Sequence, residues 1–302
     1  MPKNTAEAKH RIRLTGARVT TYVILLGLGI AFLYPILFMI TTSFKSTEDL
    51  VNPTIEWIPS GFYTDNYVKA FEVLDFNNTF FVTLFLAGIS TVLQTISCAL
   101  AGYGFARHSF RGKGVLMVLL LMTFVIPSQV TLVPKYLIFH SLKLIGSPMA
   151  SFLPAVLGQG FKSAIFILVF TEFFSAYPKS FDEAARMDGA GRFKVFLRIA
   201  LPVCVPAIIV SLLFSFVWYW NETYLSSLLQ GGMWRTLPMK LQSFVSDFSQ
   251  IYTSAKNSDQ NKINESLRMA ATILTILPLI IVYLLLQKQF IEGIESSGLT
   301  GE

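Results

Sequence analysis

The residues best suited to bind a ligand lie in two apolar stretches of the sequence. One stretch contains the consecutive run Trp218, Tyr219, Trp220, Asn221 and Glu222. Aromatic faces stack on the apolar faces of sugar rings, while amides and carboxylates hydrogen-bond to hydroxyl groups, so this run suits a carbohydrate. The same residue types also form the aromatic belt where a membrane helix meets water. Both interpretations stay open at this point.

The second candidate is a single cation, Lys162, within an apolar run. A cation at the centre of a bilayer costs about 2.5–3.5 kcal/mol on insertion scales, so its side chain should face a polar cavity or a partner. The functional interpretation is contact with a ligand, such as an acidic sugar. The structural alternatives are a salt bridge with a neighbouring subunit, or a fourth span that begins further out.

Residues able to catalyse a reaction form no recognisable group. The sequence lacks the GxxxxGK[ST] pattern of a phosphate-binding loop, so we expect no ATP hydrolysis by this chain. His10, His108 and His140 are scattered among polar segments and show no metal-ligand spacing. Cys98 and Cys204 lie in apolar runs and are expected to be buried and unpaired. We therefore predict no catalytic residue, no metal and no cofactor bound by this chain.

Composition identifies the class of protein. Of the 302 residues, 53% are hydrophobic and 14% are charged, and the mean hydropathy is +0.57. This is too apolar for a soluble domain and indicates a multi-pass membrane protein surrounded by lipid. The net charge of +6 does not call for nucleic acid, because cytoplasmic loops of membrane proteins carry extra Lys and Arg.

Apolar runs of about 20 residues, enough to cross a bilayer, predict an all-α membrane protein with six transmembrane helices. The predicted spans are 21–43, 79–105, 114–134, 151–174, 203–225 and 266–287. They form one membrane domain, 21–288, between an N-terminal segment, 1–20, and a tail, 289–302. The first run is too long for a signal peptide and lacks a small-residue cleavage site, so we expect it to be retained.

The distribution of basic residues predicts the orientation. Segments on one side of the predicted membrane carry 14 Lys and Arg, whereas the longer segments on the other side carry 8. The first group comprises 1–20, 106–113, 175–201 and 288–302, and the second comprises 44–78, 135–150 and 226–265. Because basic segments stay inside, we predict that both termini and the segment 175–201 face the cytoplasm, in the cell membrane.

The longest charged run between two apolar segments covers 180–206. Ser180 and Glu183 fit a capping box at the start of a short helix, and Gly189 permits a turn after it. A second helix follows with an apolar stripe at helical period, stops or kinks at Pro202, and continues directly into the fifth span. By spacing alone, this run also fits an ordinary polar loop.

The residue types in this run resemble the EAA motif of ABC-type importer permeases. Glu183-Ala184-Ala185 is followed by Asp188-Gly189 and then by Ile199-x-Leu201-Pro202, in order and without a gap. The resemblance implies that the segment 175–201, between spans four and five, holds a coupling helix that docks into a cleft on a cytoplasmic ATPase subunit. The implied coupling residues are Glu183, Ala184, Ala185, Met187, Asp188 and Gly189.

Further segments resemble the carbohydrate, or maltose-type, importer permeases. These segments are Tyr34-Pro35 with Thr42-Ser43-Phe44-Lys45, then Trp220-Asn221-Glu222, and Gln289-Phe290-Ile291-Glu292-Gly293. The short N-terminal region resembles that of the smaller, second permease of a heterodimeric pair. The loop 246–265 is longer and more polar than is usual in the family, which puts contacts with a binding protein there in doubt.

The resemblance implies a complex of four further components: a second permease subunit, two ATPase subunits that hold ATP and Mg, and an extracytoplasmic solute-binding protein. This chain would form the path for an oligosaccharide or sugar derivative, with Lys162 and 218–222 as candidate path residues. A polyol, a phosphorylated polyol or an amino acid is an alternative cargo. A secondary transporter is a weaker alternative, because the sequence lacks the mid-span acidic residues of an ion relay.

Overall fold

The computed structural model describes residues 3–127, 129–230, 232–252 and 263–298, with side chains from Arg18 to Lys288 within those ranges. Parts of several predicted segments lie outside this description: residues 1–2 and the side chains of 3–17 in the N-terminal segment, position 128 in the third span, 253–262 in the loop 246–265, and the last four residues and all side chains of the tail. The regular structure of the described residues is helical. The helices are α1 (Lys3–Ser43), α2 (Thr47–Val51), α3 (Asp65–Val73), α4 (Phe76–Arg107), α5 (Lys113–Val125), α6 (Leu132–Ser141), α7 (Met149–Val156), α8 (Ser163–Ala176), α9 (Ser180–Met187), α10 (Arg192–Val195), a π-helical turn (Phe196–Ala200), α11 (Leu201–Val203), α12 (Val205–Asn221), α13 (Tyr224–Leu229), α14 (Leu237–Gln242), α15 (Phe244–Tyr252) and α16 (Glu265–Gly298).

Several of these helices are long and apolar enough to cross a membrane. In the described part of the chain, Arg18–Ser43, Phe76–Arg107 and Glu265–Lys288 each meet this criterion alone. Two bent pairs meet it together, namely α8 with α9 and the turns 192–203 with α12. The described chain thus has three helices able to span a membrane, or up to five if each bent pair is one span. The apolar helix α5 is shorter.

The predicted fourth span is divided in the structure. α7 ends at Val156, and the chain then passes through Gly158 and Lys162, both with positive φ angles of 68° and 52°, before α8 begins. Left-handed residues interrupt the ladder of helical hydrogen bonds, so one continuous helix cannot form here. Lys162 therefore lies at the start of α8 and not in the middle of an unbroken helix.

The joint before α12 also differs from the sequence prediction. The helical turns that begin at Arg192 end at Val203, and α12 leaves them at an angle of 79°. The prediction of a direct continuation from Leu201 into the fifth span is therefore wrong. Pro202 and Pro206 lack the amide hydrogens that a continuous helix needs, which explains the bend near Pro202 that the sequence predicts.

Two compact units make up the chain. The first contains 1–73 and 248–274, and the second contains 74–247 and 275–302. In the first, the segment after α1 is held by polar contacts to its backbone. The Asn66 amide donates to the carbonyl oxygens of Ser43 and Lys45 at 2.9 and 3.0 Å, and the Lys45 ammonium donates to the carbonyl oxygen of Glu56 at 2.7 Å.

In the second unit, α4 packs against α7, α8 and α12. Its buried residues include six polar side chains: Thr79, Thr83, Ser90, Thr91, Gln94 and Thr95. The closest approach to α8 is at Gly102, where an added Cβ would lie 2.5 Å from Cβ of Phe170 and 3.0 Å from the amide nitrogen of Thr171. α4 is thus the central helix against which the candidate sites are positioned.

Candidate functional site

The coupling residues predicted from the sequence lie on α9 and the turn after it. α9 makes an angle of 73° with α8. Its N-cap residue is Lys179, without a side-chain cap. The predicted capping box is therefore wrong, because Ser180 is already helical and the amides of Asp182 and Glu183 bond to the carbonyl oxygen of Lys179. The Glu183 carboxylate is left exposed in solvent.

Gly189 ends α9 through a Schellman motif. Its φ is +78°. The Gly189 amide donates to the carbonyl oxygen of Arg186 at 3.0 Å, and the Ala190 amide donates to that of Ala185 at 2.9 Å. These two bonds satisfy carbonyl groups in the last turn of the helix. The left-handed backbone at position 189 favours glycine. The turn predicted at Gly189 is confirmed, and it fixes the direction in which the chain leaves α9.

Large apolar side chains are exposed on α9 and on α10, the helix that follows it. Of the predicted coupling residues, Ala185 is half-buried, and Glu183, Ala184, Met187, Asp188 and Gly189 are exposed. The Met187 side chain is 88% exposed, and Phe181 on the same helix and Phe193 on α10 are 54% and 67% exposed. Clustered exposed apolar side chains mark interaction surfaces. The arrangement therefore suits a helix that enters a cleft on another protein.

Asp182, the buried residue of α9, contacts Arg107 at the end of α4 and Tyr177 just after α8, and the sequence predicted none of these contacts. The Asp182 carboxylate lies 3.6 Å from Nε of Arg107, an ion-pair distance too long for a hydrogen bond, and accepts a 2.7 Å hydrogen bond from the Tyr177 hydroxyl. Arg107 also donates to the carbonyl oxygen of Tyr177 at 2.6 Å, with its guanidinium 3.5 Å from the centre of the Tyr177 ring. The sequence offered a weak signal, since a basic residue ends the second apolar run.

Burial of the Tyr177 ring raises the pKa of its hydroxyl, and the hydrogen bond to Asp182 raises that pKa further. The hydroxyl therefore stays protonated and acts as the donor in this contact. The side chains of Arg107 and Asp182 are 3% and 8% exposed. A buried carboxylate needs both a positive charge and hydrogen-bond donors, and Arg107 and Tyr177 supply one of each.

The candidate path residues are only partly brought together. The Lys162 ammonium is exposed and lies 5.1 Å from the centre of the Trp218 ring, a cation–π contact. Phe166 packs against the same ring at 5.2 Å. Among the described residues, none forms an ion pair with Lys162. This pair of side chains offers a cation and an aromatic face at one place in the fold.

Tyr219 has a different environment from Trp218. Its buried hydroxyl donates to Oε1 of Gln94 at 2.6 Å, and the Gln94 amide donates to the carbonyl oxygen of Phe161 at 2.8 Å. Gly160 makes this contact possible, because an added Cβ there would lie 2.1 Å from Oε1 of Gln94. Tyr219 and Gln94 therefore fix the backbone of the segment before α8 at Phe161, the residue before Lys162.

The remaining three predicted path residues bond to backbone groups. Trp220 is 1% exposed and donates to the carbonyl oxygen of Thr275 at 3.3 Å. Asn221 is exposed and donates to the carbonyl oxygen of Val217, one helical turn earlier. Glu222 accepts a 2.6 Å hydrogen bond from the Leu225 amide at the start of α13. These contacts order the end of α12 and do not bring the three side chains to Lys162.

Helices long and apolar enough to cross a membrane, together with the polar face of α4 that is buried against α7, α8 and α12, indicate an integral membrane protein. Residues 98–295 match the family described as binding-protein-dependent transport system inner membrane component. The chain belongs to this family.

Individual relatives agree with this assignment. The chain is 31% identical to the probable ABC transporter permease protein YurM of Bacillus subtilis, over 90% of this chain and 85% of the relative. It is 29% identical to the maltodextrin transport system permease protein MdxG of the same organism, over 94% and 96%. A crystal structure of a bacterial ABC transporter involved in import of the acidic polysaccharide alginate has a chain of the same fold, with a TM-score of 0.74, 21% identity and coverage of 92% and 97%.

Proposed function

We propose that this chain is a permease subunit of an ATP-driven importer and forms the path of an oligosaccharide or sugar derivative across the membrane. The observation that carries the proposal is α9, a helix with the EAA residues on an exposed apolar surface, in a chain of this family. A solute-binding protein delivers the cargo. A second, larger permease completes the path. Two ATPase subunits hold ATP and Mg, so in this proposal ATP hydrolysis takes place on them and this chain is not itself an enzyme.

The proposal includes six spans with both termini in the cytoplasm of the cell that imports the sugar. The basic residues of 175–201 support this orientation, since positively charged segments stay inside. α9 then faces the compartment where ATP is made. We assign the bend at Cys204 to the fifth span and the break before α8 to the fourth span. Neither interruption ends its span.

Within α9, each exposed side chain has a proposed role at the ATPase subunit. The Glu183 carboxylate contacts a basic group or an amide at the edge of the cleft. Met187 and Ala184 fill the cleft, because their apolar surface is exposed in this chain and gains free energy when covered. Asp188 and Gly189 set the turn that positions Met187.

A carbohydrate cargo is supported by the names of relatives, which include a maltodextrin permease. Lys162 and Trp218 support an acidic sugar in particular, because an aromatic face and a cation lie 5.1 Å apart there. The same pair also suits a phosphorylated polyol, which is our second candidate. Tyr219, Trp220, Asn221 and Glu222 stay predicted path residues, of which Tyr219 and Trp220 are buried in this chain.

The cargo is tested with the solute-binding protein that co-purifies with this chain. We expect its melting temperature to rise with one class of oligosaccharide when neutral maltodextrins, uronic-acid oligosaccharides and polyol phosphates are compared in a thermal-shift screen. A shift with polyol phosphates alone would select the second candidate. The absence of a shift with any sugar would remove carbohydrate from the proposal and leave the importer architecture.

The position of Lys162 is tested by chemical labelling. In the assembled complex, a Lys162→Cys variant should react with a small, water-soluble maleimide. The rate of this labelling reaction should differ between the ATP-bound complex and the nucleotide-free complex. The unmodified chain is the control, because its two cysteines, Cys98 and Cys204, are buried. If the variant is as unreactive as the control in every nucleotide state, Lys162 does not line the path.

A further inference from the structure

We propose that Arg107, Tyr177 and Asp182, here called the latch, transmit movement of α9 to α4 during the transport cycle. In this account Arg107 and Asp182 are positioning residues for ATP-driven transport. Because both side chains are buried within the chain, we assign neither of them a contact with cargo or nucleotide. The proposal rests on the function proposed above, in which α9 docks on an ATPase subunit, and it goes further by naming the element that receives the movement.

The contacts of the latch make it a stiff joint. The Asp182 carboxylate meets the Arg107 guanidinium and the Tyr177 hydroxyl, and the guanidinium also meets the Tyr177 ring and carbonyl oxygen. Both charged side chains are more than nine-tenths buried. Salt screens buried pairs much less than exposed ones, and moving either partner away would leave a buried charge without compensation. α9 and the end of α4 are therefore expected to move together.

The covalent connections of α9 are less direct. On the C-terminal side, the chain passes through the turn at Gly189 and then through the 79° bend at Cys204 before it reaches α12. On the N-terminal side, it joins α8 at 73°. Because neither connection is a straight helix, no continuous helix transmits a movement of α9 to α8 or α12. The latch provides a side-chain contact that bypasses both bends.

α4 is well placed to pass the movement on. Arg107 is the last residue of α4, and Gln94 lies 13 residues earlier on the same helix, about 20 Å away at 1.5 Å per residue. The Gln94 side chain bonds to the carbonyl oxygen of Phe161 and accepts from the Tyr219 hydroxyl. Phe161 precedes Lys162. One rigid element thus joins the latch to the segment that carries the candidate path cation.

The latch is tested in the complete transporter reconstituted in liposomes with its binding protein. The measured quantity is the amount of sugar imported per ATP hydrolysed, with the sugar chosen by the thermal-shift screen. For the double variant Arg107→Gln/Asp182→Asn, which leaves no unpaired charge, we expect normal membrane insertion, continued ATP hydrolysis and a loss of about tenfold in this ratio. The conservative single variant Asp182→Glu, in which Arg107 is unchanged, should keep most of the ratio of the unmodified protein.

Two further variants make the result specific. Tyr177→Phe keeps the ring beneath Arg107 but removes the donor to Asp182, so its ratio should fall less than that of the double variant. Arg111→Gln removes an exposed arginine from the adjacent turn and should behave as the unmodified protein.

An unchanged ratio in an inserted double variant would overturn the latch. If α9 does not dock on an ATPase subunit at all, Glu183→Lys should also leave the ratio unchanged. This result separates failure of the proposed function from failure of the latch. If Glu183→Lys lowers the ratio and the double variant does not, α9 acts through another route.

Discussion

Replacing Gly189 with proline is expected to abolish sugar uptake while the ATPase subunits continue to hydrolyse ATP. The backbone at Gly189 has φ +78°, whereas the proline ring holds φ near about −65°. Proline also removes the amide that donates to Arg186. The end of α9 would unwind, and Met187 would lose its position at the cleft. Uptake by proteoliposomes and phosphate release, measured in the same sample, check this result.

The chain contains a matched control for this substitution. Gly191 has φ −66°, and an added Cβ there would meet nothing within 4 Å. Gly191→Ala should therefore keep uptake close to that of the unmodified protein. Gly189→Ala should be intermediate, because a left-handed alanine costs about 1 kcal/mol more than glycine. Full uptake by Gly189→Pro would show that the shape of this turn does not matter for coupling.

Gly102→Ala is expected to reduce the stability of the folded protein, in contrast to most glycine-to-alanine changes in a helix. The new Cβ would lie 2.5 Å from Cβ of Phe170 and 3.1 Å from the carbonyl oxygen of Ile167. Neither atom is the flexible end of a side chain, so α4 and α8 must separate. Overpacking of this kind costs about 1–3 kcal/mol. The melting temperature of the detergent-purified complex measures the loss.

Gly104→Ala is the control on the same helix, because an added Cβ there has no neighbour within 4 Å. Alanine is favoured over glycine inside a helix by about 1 kcal/mol, so this variant should melt at the same or a higher temperature. Equal melting temperatures for the two variants would mean that α4 and α8 are not closely packed at Gly102.

The membrane class and the short helix that carries the EAA residues were predictable from the sequence because both depend on local information. Apolar runs report directly on lipid, and the EAA residues occupy one continuous segment. The turn at Gly189 was predictable for the same reason, since a Schellman motif uses neighbouring residues only. The start of α9 was not, because the pattern of Ser180 and Glu183 fits a capping box, whereas in the structure the carbonyl oxygen of Lys179 accepts the first helical bonds.

The latch and the environment of Lys162 depend on residues far apart in the chain. Arg107 and Asp182 are 75 positions apart, and Gln94 and Tyr219 are 125 apart. Hydrophobic periodicity says which face of a helix is buried but not which polar groups meet there. The division of the predicted fourth span had a local signal in its glycines, whereas the left-handed backbone at Lys162 had none.

The most direct test of the central claim is the accessibility of a Met187→Cys variant with and without the ATPase subunits. Met187 is 88% exposed in this chain, so a cysteine there should react with a water-soluble maleimide once the ATPase subunits are stripped away. The assembled complex should protect it. Val51→Cys, at a site 78% exposed in the segment predicted to lie outside, should react equally in both samples. Equal reaction at Met187→Cys in both samples would contradict the claim that α9 is the docking helix.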